Sequence, residues 1–265
     1  MKYFAVIGNP IAHSLSPDIH QKFSEQTGIP LMYRKILAED ENFTSCVRDF
    51  FDQGGTGLNI TAPFKRAAFE LAENKTERCQ AAQAANTLWK KNGLICADNT
   101  DGIGLVRDLS KYINLEGSSV LILGAGGAAQ GIIPALHAAL VARISVHNRT
   151  AAKVENLIGL FDFIHNATES YNKFENYDII VNAISLSAKA RSAPALSLNR
   201  WLPVSLCYDI SYDQNGLTPF VLSAQRQGIK ACDGLGMLVE QAAEAFFDWH
   251  GILPETQSVL RMFRP

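Results

Sequence analysis

The stretch Ser119–Leu136, SVLILGAGGAAQGIIPAL, constrains the fold of this chain more than any other. Ser119–Leu123 is a nearly continuous apolar run, as a parallel strand buried on both faces requires. It leads directly into Gly124-Ala125-Gly126-Gly127-Ala128-Ala129, which fits G-x-G-x-x-A. Ile132, Ile133, Leu136 and Leu140 then recur at helical spacing. Gly124 permits a tight turn, Gly126 lets a pyrophosphate approach the backbone, and Ala129 lets helix and strand pack closely. The helix start supplies free N–H groups and partial positive charge, which suit phosphate. A tight strand–helix turn without a ligand would show the same glycines. The strand before and the helix after favour dinucleotide binding.

Composition narrows the function classes. The chain has 265 residues, comfortable for two domains, and 47% apolar residues, ample for a packed core. A formal net charge of −2 leaves no basic footprint for nucleic acid. No apolar run reaches membrane-spanning length; the region around Ile132–Val141 is interrupted by Pro134 and His137. The start, MKYFAVIGNP, reads as a strand and turn rather than a signal peptide. Five scattered cysteines, without C-x-x-C spacing, suggest reduced thiols and a cytoplasmic location. No metal-ligating cluster is expected.

In the first third, Tyr3–Ile7 reads as a strand broken by Gly8-Asn9-Pro10. Ser16-Pro17 reads as an N-cap with proline in the first turn of a helix reaching about Gly28. Ser14 and Ser16 thus either cap the helix or hold a small carboxylate at its N-terminus. His13 and His20 have no metal-like neighbours, so each is read as structural. Met32–Leu37 is a second strand and Asn42–Phe51 an amphipathic helix. A third strand ends near Ile60, and Pro63 is expected to open another helix. Asn59, Thr61 and Lys65 therefore cluster at a strand end and helix start, where α/β sites form. Lys65 is either a solvated surface lysine or a general acid/base. Ala67–Leu71 and Thr76–Gln83 read as short helices. Asn86–Trp89 and Leu94–Ala97 read as hairpin strands about Lys91-Asn92-Gly93. Asp101, at the start of a helix over Ile103–Leu109, is either its N-cap or a ligand-binding group near a domain boundary.

After the glycine-rich helix, strand Arg143–His147 ends at Asn148-Arg149-Thr150. NAD-binding units place an acid near this position for the ribose hydroxyl; none stands here. Arg149 suits the 2′-phosphate of NADP; a solvent-facing arginine is the alternative, and the missing acid favours NADP over NAD. Helix Ala151–Phe161, strands Tyr177–Val181 and Val204–Tyr208, a helix from Thr218-Pro219 to about Gln227, and strand Ile229–Ala231 follow. This alternation calls for a mostly parallel sheet with right-handed crossovers. Met237–Trp249 is a final apolar helix carrying Gln241, with another beginning near Pro254. On spacing alone Gln241 is a helix-surface residue.

Taken together, these motifs resemble the shikimate dehydrogenase family. The resemblance is carried by Gly8-Asn9-Pro10-Ile11-x-His13-Ser14-x-Ser16-Pro17, Asn59-Ile60-Thr61-x-Pro63-x-Lys65, Ala85-Asn86-Thr87-Leu88 and Asn99-Thr100-Asp101-Gly102-x-Gly104. It continues through the Gly124–Ala129 loop, Asn148-Arg149-Thr150, Tyr208-Asp209-x-x-Tyr212 and Asp233-Gly234-Leu235-Gly236-Met237-Leu238-Val239-x-Gln241-Ala242. It implies an α/β protein of two domains. Residues 1–101 and 238–265 form the substrate domain, to which the C-terminal helices return. Residues 102–237 form a Rossmann-like, doubly wound NADP-binding domain. It implies NADPH-dependent reduction of 3-dehydroshikimate to shikimate in aromatic amino-acid biosynthesis, with Lys65 and Asp101 as the catalytic pair. Substrate contacts would be Ser14, Ser16, Thr61, Lys65, Asn86, Asp101, Tyr212 and Gln241. Cofactor contacts would be Gly124, Ala125, Gly126, Gly127, Ala128, Asn148, Arg149, Thr150, Ala151, Ala152, Lys153, Ile210, Gly234 and Glu77. The expected partner is the small-molecule substrate, with no nucleic acid and no membrane; a homodimer stays open.

Two departures stand out. Ile184 replaces a threonine, and 186–190 lacks the glycine usual in the loop that follows, which alters the expected nicotinamide contacts. Gln21 replaces an asparagine beside His20, with little consequence expected. A quinate-oxidising relative would share nearly every residue. A non-catalytic NADP(H)-binding redox sensor would need neither Lys65 nor Asp101. A folate-linked dehydrogenase on a similar plan would need a different pocket, and Ser14, Ser16 and Gln241 argue against it.

Overall fold

The computed structural model describes residues 1–167, 176–184, 204–213 and 215–264. In chain order these form β1 (Lys2–Gly8), α1 (Ser16–Thr27), β2 (Leu31–Leu37), α2 (Phe43–Asp52), β3 (Gly55–Ile60), α3 (Lys65–Leu71) and β4 (Asn74–Lys75). Then come α4 (Glu77–Ala82), β5 (Thr87–Lys91), β6 (Leu94–Asp98), α5 (Asp101–Leu109), β7 (Ser119–Leu123), α6 (Gly127–Ala138), β8 (Arg143–His147) and α7 (Ala151–Leu160). The remainder is β9 (Ile164–Asn166), β10 (Ile179–Asn182), β11 (Leu206–Asp209), α8 (Pro219–Arg226), β12 (Ala231–Asp233), α9 (Leu235–His250) and α10 (Gln257–Phe263). The chain divides into two compact units, Met1–Gly104 with Leu238–Pro265, and Leu105–Met237.

The first unit is built on a six-stranded sheet of order β2-β1-β3-β5-β6-β4. β1 is parallel to β2 and β3, and β5 runs antiparallel to β3 and β6. Successive residues of β1 feed opposite faces. Ala5 and Ile7 join Phe43, Val47, Phe50 and Phe51 of α2, whereas Phe4 joins Ile19 and Phe23 of α1 and Val239, Ala242 and Phe246 of α9. Burial on both faces explains why this strand reads as an unbroken apolar run. The hairpin between β5 and β6 turns at Asn92 (φ 54°) and Gly93 (φ 83°), the left-handed pair that a two-residue hairpin turn demands.

In the second unit the sheet order is β12-β11-β10-β7-β8-β9, and every pairing in it is parallel. Counted from β7, this is the doubly wound order 3-2-1-4-5-6 read from β9, with the switch point between β7 and β10. Val120 and Ile122 pack with Ile132, Ile133 and Leu136 of α6 on one face. Leu121 and Leu123 pack with Phe220 and Ala224 of α8 on the other. Ala129 is fully buried in the first of these clusters, so the third small position of the glycine motif is a packing position.

Local readings change at several points, and β10 and β11 each begin two residues later than expected. The helix expected from Pro63 begins at Lys65, after a turn containing the cis Ala62–Pro63 peptide. Ser16 lies inside α1 rather than capping it; Leu15 is the cap residue and its side chain makes no capping bond, while Ser14 Oγ accepts the Ser16 N–H. The last strand of the second sheet lies two residues later than expected, at Ala231–Asp233. β4 and β9, of two and three residues, were not expected, because so short a strand carries no readable periodicity. Among the described residues no helix is long and apolar enough to cross a membrane. All five cysteines are free thiols.

Candidate active site

In the first unit the sheet topology gathers one set of polar residues at one end. β1 and β3 are in parallel register, with Ile7 opposite Ile60, so the segments bearing Ser14, Ser16, Thr61 and Lys65 all leave the same edge. β5 enters the sheet there, since Asn59 pairs with Thr87, and β6 leaves there, since Thr87 pairs with Asp98. Asn86 and Asp101 therefore flank the same edge. Sites in α/β folds form beyond the carboxyl ends of parallel strands.

Lys65 Nζ donates to Asp101 Oδ2 at 2.6 Å, with side-chain exposures of 15% and 8%. Asn86 lies at the centre of the cluster. Its amide nitrogen is within hydrogen-bond distance of Asp101 Oδ1 (3.0 Å), Thr100 Oγ1 (2.9 Å) and Gln241 Oε1 (3.1 Å). Its carbonyl oxygen accepts from the Thr100 N–H (2.8 Å) and the Thr87 hydroxyl (3.0 Å). Gln241 is buried, and its Nε2 donates to Leu238 O at 2.8 Å, which fixes the amide with its oxygen toward Asn86. A buried amide held in this way corrects the surface position that helical spacing alone gave Gln241.

Lys65, Asn86, Asp101 and Gln241 thus form one bonded group. Thr100 and Asn99 belong to it as well, although the sequence reading gave them no role. Asn99 Oδ1 accepts the Asp101 N–H at 3.1 Å, and Asn99 Nδ2 donates to Ala84 O at 2.8 Å. Both lie inside the Asn-Thr-Asp motif, the one signal that could have found them. The Asp101 carboxylate, at the first residue of α5, is turned to Lys65 and Asn86. An ammonium nitrogen carries three hydrogens. With one committed to Asp101, two remain to donate elsewhere.

Ser14 and Ser16 form a second group. Ser14 Oγ lies 3.2 Å from Ser16 Oγ and accepts the Ser16 N–H at 3.3 Å. Nearby, Tyr33 donates to Asn59 Oδ1 at 2.7 Å, and Asn59 Nδ2 reaches Asn86 O (3.3 Å) and Thr87 Oγ1 (3.2 Å). Thr61 is half-buried, its N–H bonded to Ile7 O at 2.9 Å. His20 is fully buried and stacked on Tyr33, ring centroids 4.5 Å apart. Burial pushes its imidazole down to about 3, so it stays neutral in the aromatic core. His13 is exposed. Glu77 is the exposed first residue of α4, also in this unit.

The remaining candidates lie in the second unit. Gly124 has φ +106°, and its N–H donates to His147 O at 2.8 Å. A Cβ there would lie 2.8 Å from Ala183 O, so only glycine fits where β7, β8 and β10 end together. Gly126 caps α6 without a side-chain hydrogen bond, and a Cβ on Gly126 or Gly127 would meet nothing within 4 Å. Ala125 and Ala128 flank them. The unfilled space and the uncapped first-turn N–H groups of Gly127 onward fit a phosphate of a dinucleotide. After β8, Asn148 Nδ2 donates to Thr150 O at 3.0 Å, closing a turn on which Arg149 is exposed. Ala151, Ala152 and Lys153 form the exposed first turn of α7. Gly234 packs against the Ile210 backbone, where a Cβ would lie 2.3 Å from Ile210 O. Tyr212 is half-buried after β11. Ile184 is exposed, and 185–190 lies outside the described residues.

One further group had no assigned role. Asp209 is 1% exposed, and burial raises its carboxyl despite its partners. Its oxygens accept from Asn182 Nδ2 (3.0 Å), the Ser211 N–H (3.0 Å) and the Thr218 hydroxyl (2.7 Å). It ties together the segments that follow β10 and β11.

Comparison with known proteins places the chain. The family model for the shikimate dehydrogenase substrate binding domain matches residues 6–88, that for shikimate / quinate 5-dehydrogenase matches 107–200, and that for the shikimate 5′-dehydrogenase C-terminal domain matches 234–261. The chain is 50% identical to the shikimate dehydrogenase (NADP(+)) of Legionella pneumophila strain Corby, covering 100% of this chain and 99% of that protein. It is 43% identical to the enzyme of the same name from Marinobacter nauticus, covering 98% of each. Among solved structures, the shikimate 5-dehydrogenase of Thermus thermophilus in complex with NADP(H) and shikimate superposes with a TM-score of 0.89 at 29% identity, covering 100% of this chain and 99% of that one. The chain belongs to the shikimate dehydrogenase family.

Proposed function

We infer that this chain catalyses the reversible, NADP-dependent reduction of 3-dehydroshikimate to shikimate. The observation that carries the reading is the Lys65–Asp101 pair, 2.6 Å apart and mostly buried, set within hydroxyl and amide groups. NADPH, when bound, supplies the hydride. The residues that would hold it are the Gly124–Ala128 loop, Asn148–Lys153 with Arg149 on the 2′-phosphate, Ile210 and Gly234. The open space over Gly126 and Gly127 supports this for the phosphates.

The protein's own work is binding and proton handling. Ser14 and Ser16 hold the substrate carboxylate with uncharged donors. Thr61, Asn86, Gln241 and Asp101 read its hydroxyls. When the carbonyl carbon gains hydride, its oxygen gains an electron pair. Lys65, as ammonium, donates a proton to that oxygen, and Asp101 keeps the amine aimed. In the oxidative direction Lys65 removes the hydroxyl proton. General acid–base help of this kind is worth about 10²–10⁴-fold. A site that bonds each hydroxyl discriminates strongly against analogues that lack one.

The enzyme serves aromatic amino-acid biosynthesis in this reading. Five free thiols support a cytoplasmic setting. Assembly as a homodimer is compatible with the mechanism and not required by it. The test is a four-way assay of absorbance at the reduced-nicotinamide band, with shikimate or quinate and NADP+ or NAD+. Turnover should be fastest with shikimate and NADP+. Comparable turnover of quinate would assign the chain to the broader shikimate/quinate activity named in its central family model. NADP+ binding without turnover of either acid would identify a sensor and overturn the reading.

A further inference from the structure

Arg78 occupies a position in the first unit that the proposed mechanism does not use. It sits on α4, half-buried, surrounded by three acidic side chains from two other elements. Its Nε lies 2.8 Å from both oxygens of Asp98, at the end of β6, and its Nη2 also bonds Asp98. Its Nη1 donates to Glu244 Oε1 at 2.6 Å, and Nη2 lies 3.5 Å from Asp248 Oδ1, both on α9. Asp98 is 0% exposed. Burial works against its charge, and Arg78 outweighs that, holding its carboxyl below the usual carboxylate range.

Both arms of this fork lead to the candidate site. On the strand side, Asp98 Oδ1 accepts the Asn99 N–H at 2.7 Å, and Asn99 Oδ1 in turn accepts the Asp101 N–H at 3.1 Å. The Asp98 carbonyl accepts the Asn86 N–H at 3.0 Å. On the helix side, Glu244 lies one turn beyond Gln241, on the same face. Gln241 meets the strand side, because its oxygen accepts from Asn86 at 3.1 Å. Hydrogen bonds therefore run from Arg78 through Asp98 and Asn86 to Gln241, and from Arg78 to Glu244, with one turn of α9 between the two ends and the Asp101 turn attached at Asn99.

We propose that Arg78 is a positioning residue for the reaction, holding the Asp98–Asp101 turn and the Gln241 segment of α9 in one register so that the substrate's hydroxyls meet correctly placed partners. The proposal rests on the functional reading above. A lysine could supply the charge but not the planar fork that spans two elements. Removing the guanidinium takes the Arg78 charge away from buried Asp98 and from Glu244, and the strand and α9 lose the group that joins them.

The test is steady-state kinetics with shikimate on Arg78→Gln, Arg78→Lys and Glu244→Met, at a temperature where near-ultraviolet circular dichroism shows each variant folded. Misplacement of contacts by about 1 Å can cost as much as 10²-fold. On that scale the shikimate KM of Arg78→Gln should rise about tenfold or more, with a smaller fall in kcat. Arg78→Lys should recover thermal stability but not the KM. Glu244→Met removes the shorter of the two Arg78 contacts to α9 and should also raise the KM. If Arg78→Gln does not fold, Glu244→Met decides alone. A shikimate KM within about twofold of wild type in the folded variants, whatever their melting temperatures, would mean a purely structural brace and overturn the proposal. Failure of the wild-type protein to oxidise shikimate with NADP+ would instead remove the functional reading itself.

Discussion

Asp101 divides one carboxylate between two neighbours, with Oδ2 on Lys65 and Oδ1 on Asn86. Asp101→Asn keeps the size and one acceptor but removes the charge that aims the amine. Its kcat should fall about 10²-fold or more, within the range expected for lost general acid–base help. Steady-state assays in both directions check this, and a kcat near wild type would show that Lys65 needs no orienting charge. Arg149 makes a separate prediction. Arg149→Ala should raise the KM for NADPH and narrow the preference over NADH, since paired N–H donors to a phosphate are lost. An unchanged preference would refute the 2′-phosphate contact. At this scale the sequence offered pairs of readings rather than decisions. Asp101 looked as much like a helix cap as a ligand, because both roles favour an acid at a helix start. Gln241 looked like a surface residue, because its partner Asn86 lies 155 residues away and no periodicity encodes that bond.

Among the elements, the strand–glycine–helix unit was the most legible, since its signals are local: an apolar run, three small residues and a helical repeat. Gly124→Ala tests it. The substituted residue would need φ +106° and a Cβ 2.8 Å from Ala183 O. Backbone strain of this kind costs about 1–3 kcal/mol, so thermal unfolding should shift down and NADP+ affinity should fall with it. Unchanged stability and affinity would show that the turn tolerates a side chain. The helix after Ile60 was displaced to Lys65, because proline signals a first turn equally well inside a preceding loop. α9 carries a feature invisible in sequence. Burial, and then the neighbouring Asp98 charge, push the Asp248 carboxyl up to about 8. A folded value above the unfolded one means that the stability tied to this group is fully present below about pH 4. It is lost as pH rises through 8. Asp248→Asn removes that dependence, so the variant should gain on wild type in chemical denaturation between pH 4 and pH 8. A constant difference across this window would contradict the assignment.

For the molecule as a whole, the work divides between two sheets. One gathers polar side chains at the shared edge of β1, β3, β5 and β6, where the proposed reading puts the substrate and Lys65. The other presents a glycine turn at the switch point between β7 and β10, where the proposed reading puts the nucleotide. The doubly wound sheet was readable from its alternation of strands and helices. The mixed sheet was less so, because its antiparallel hairpin and two-residue β4 follow no single period. Lys65→Ala examines this division most directly. NADPH affinity, followed by fluorescence titration, should stay within about twofold of wild type, and the shikimate KM should change little. The kcat should drop by about 10²–10⁴-fold, the span of a lost general acid. Turnover near the wild-type rate in that variant would contradict the account at its centre.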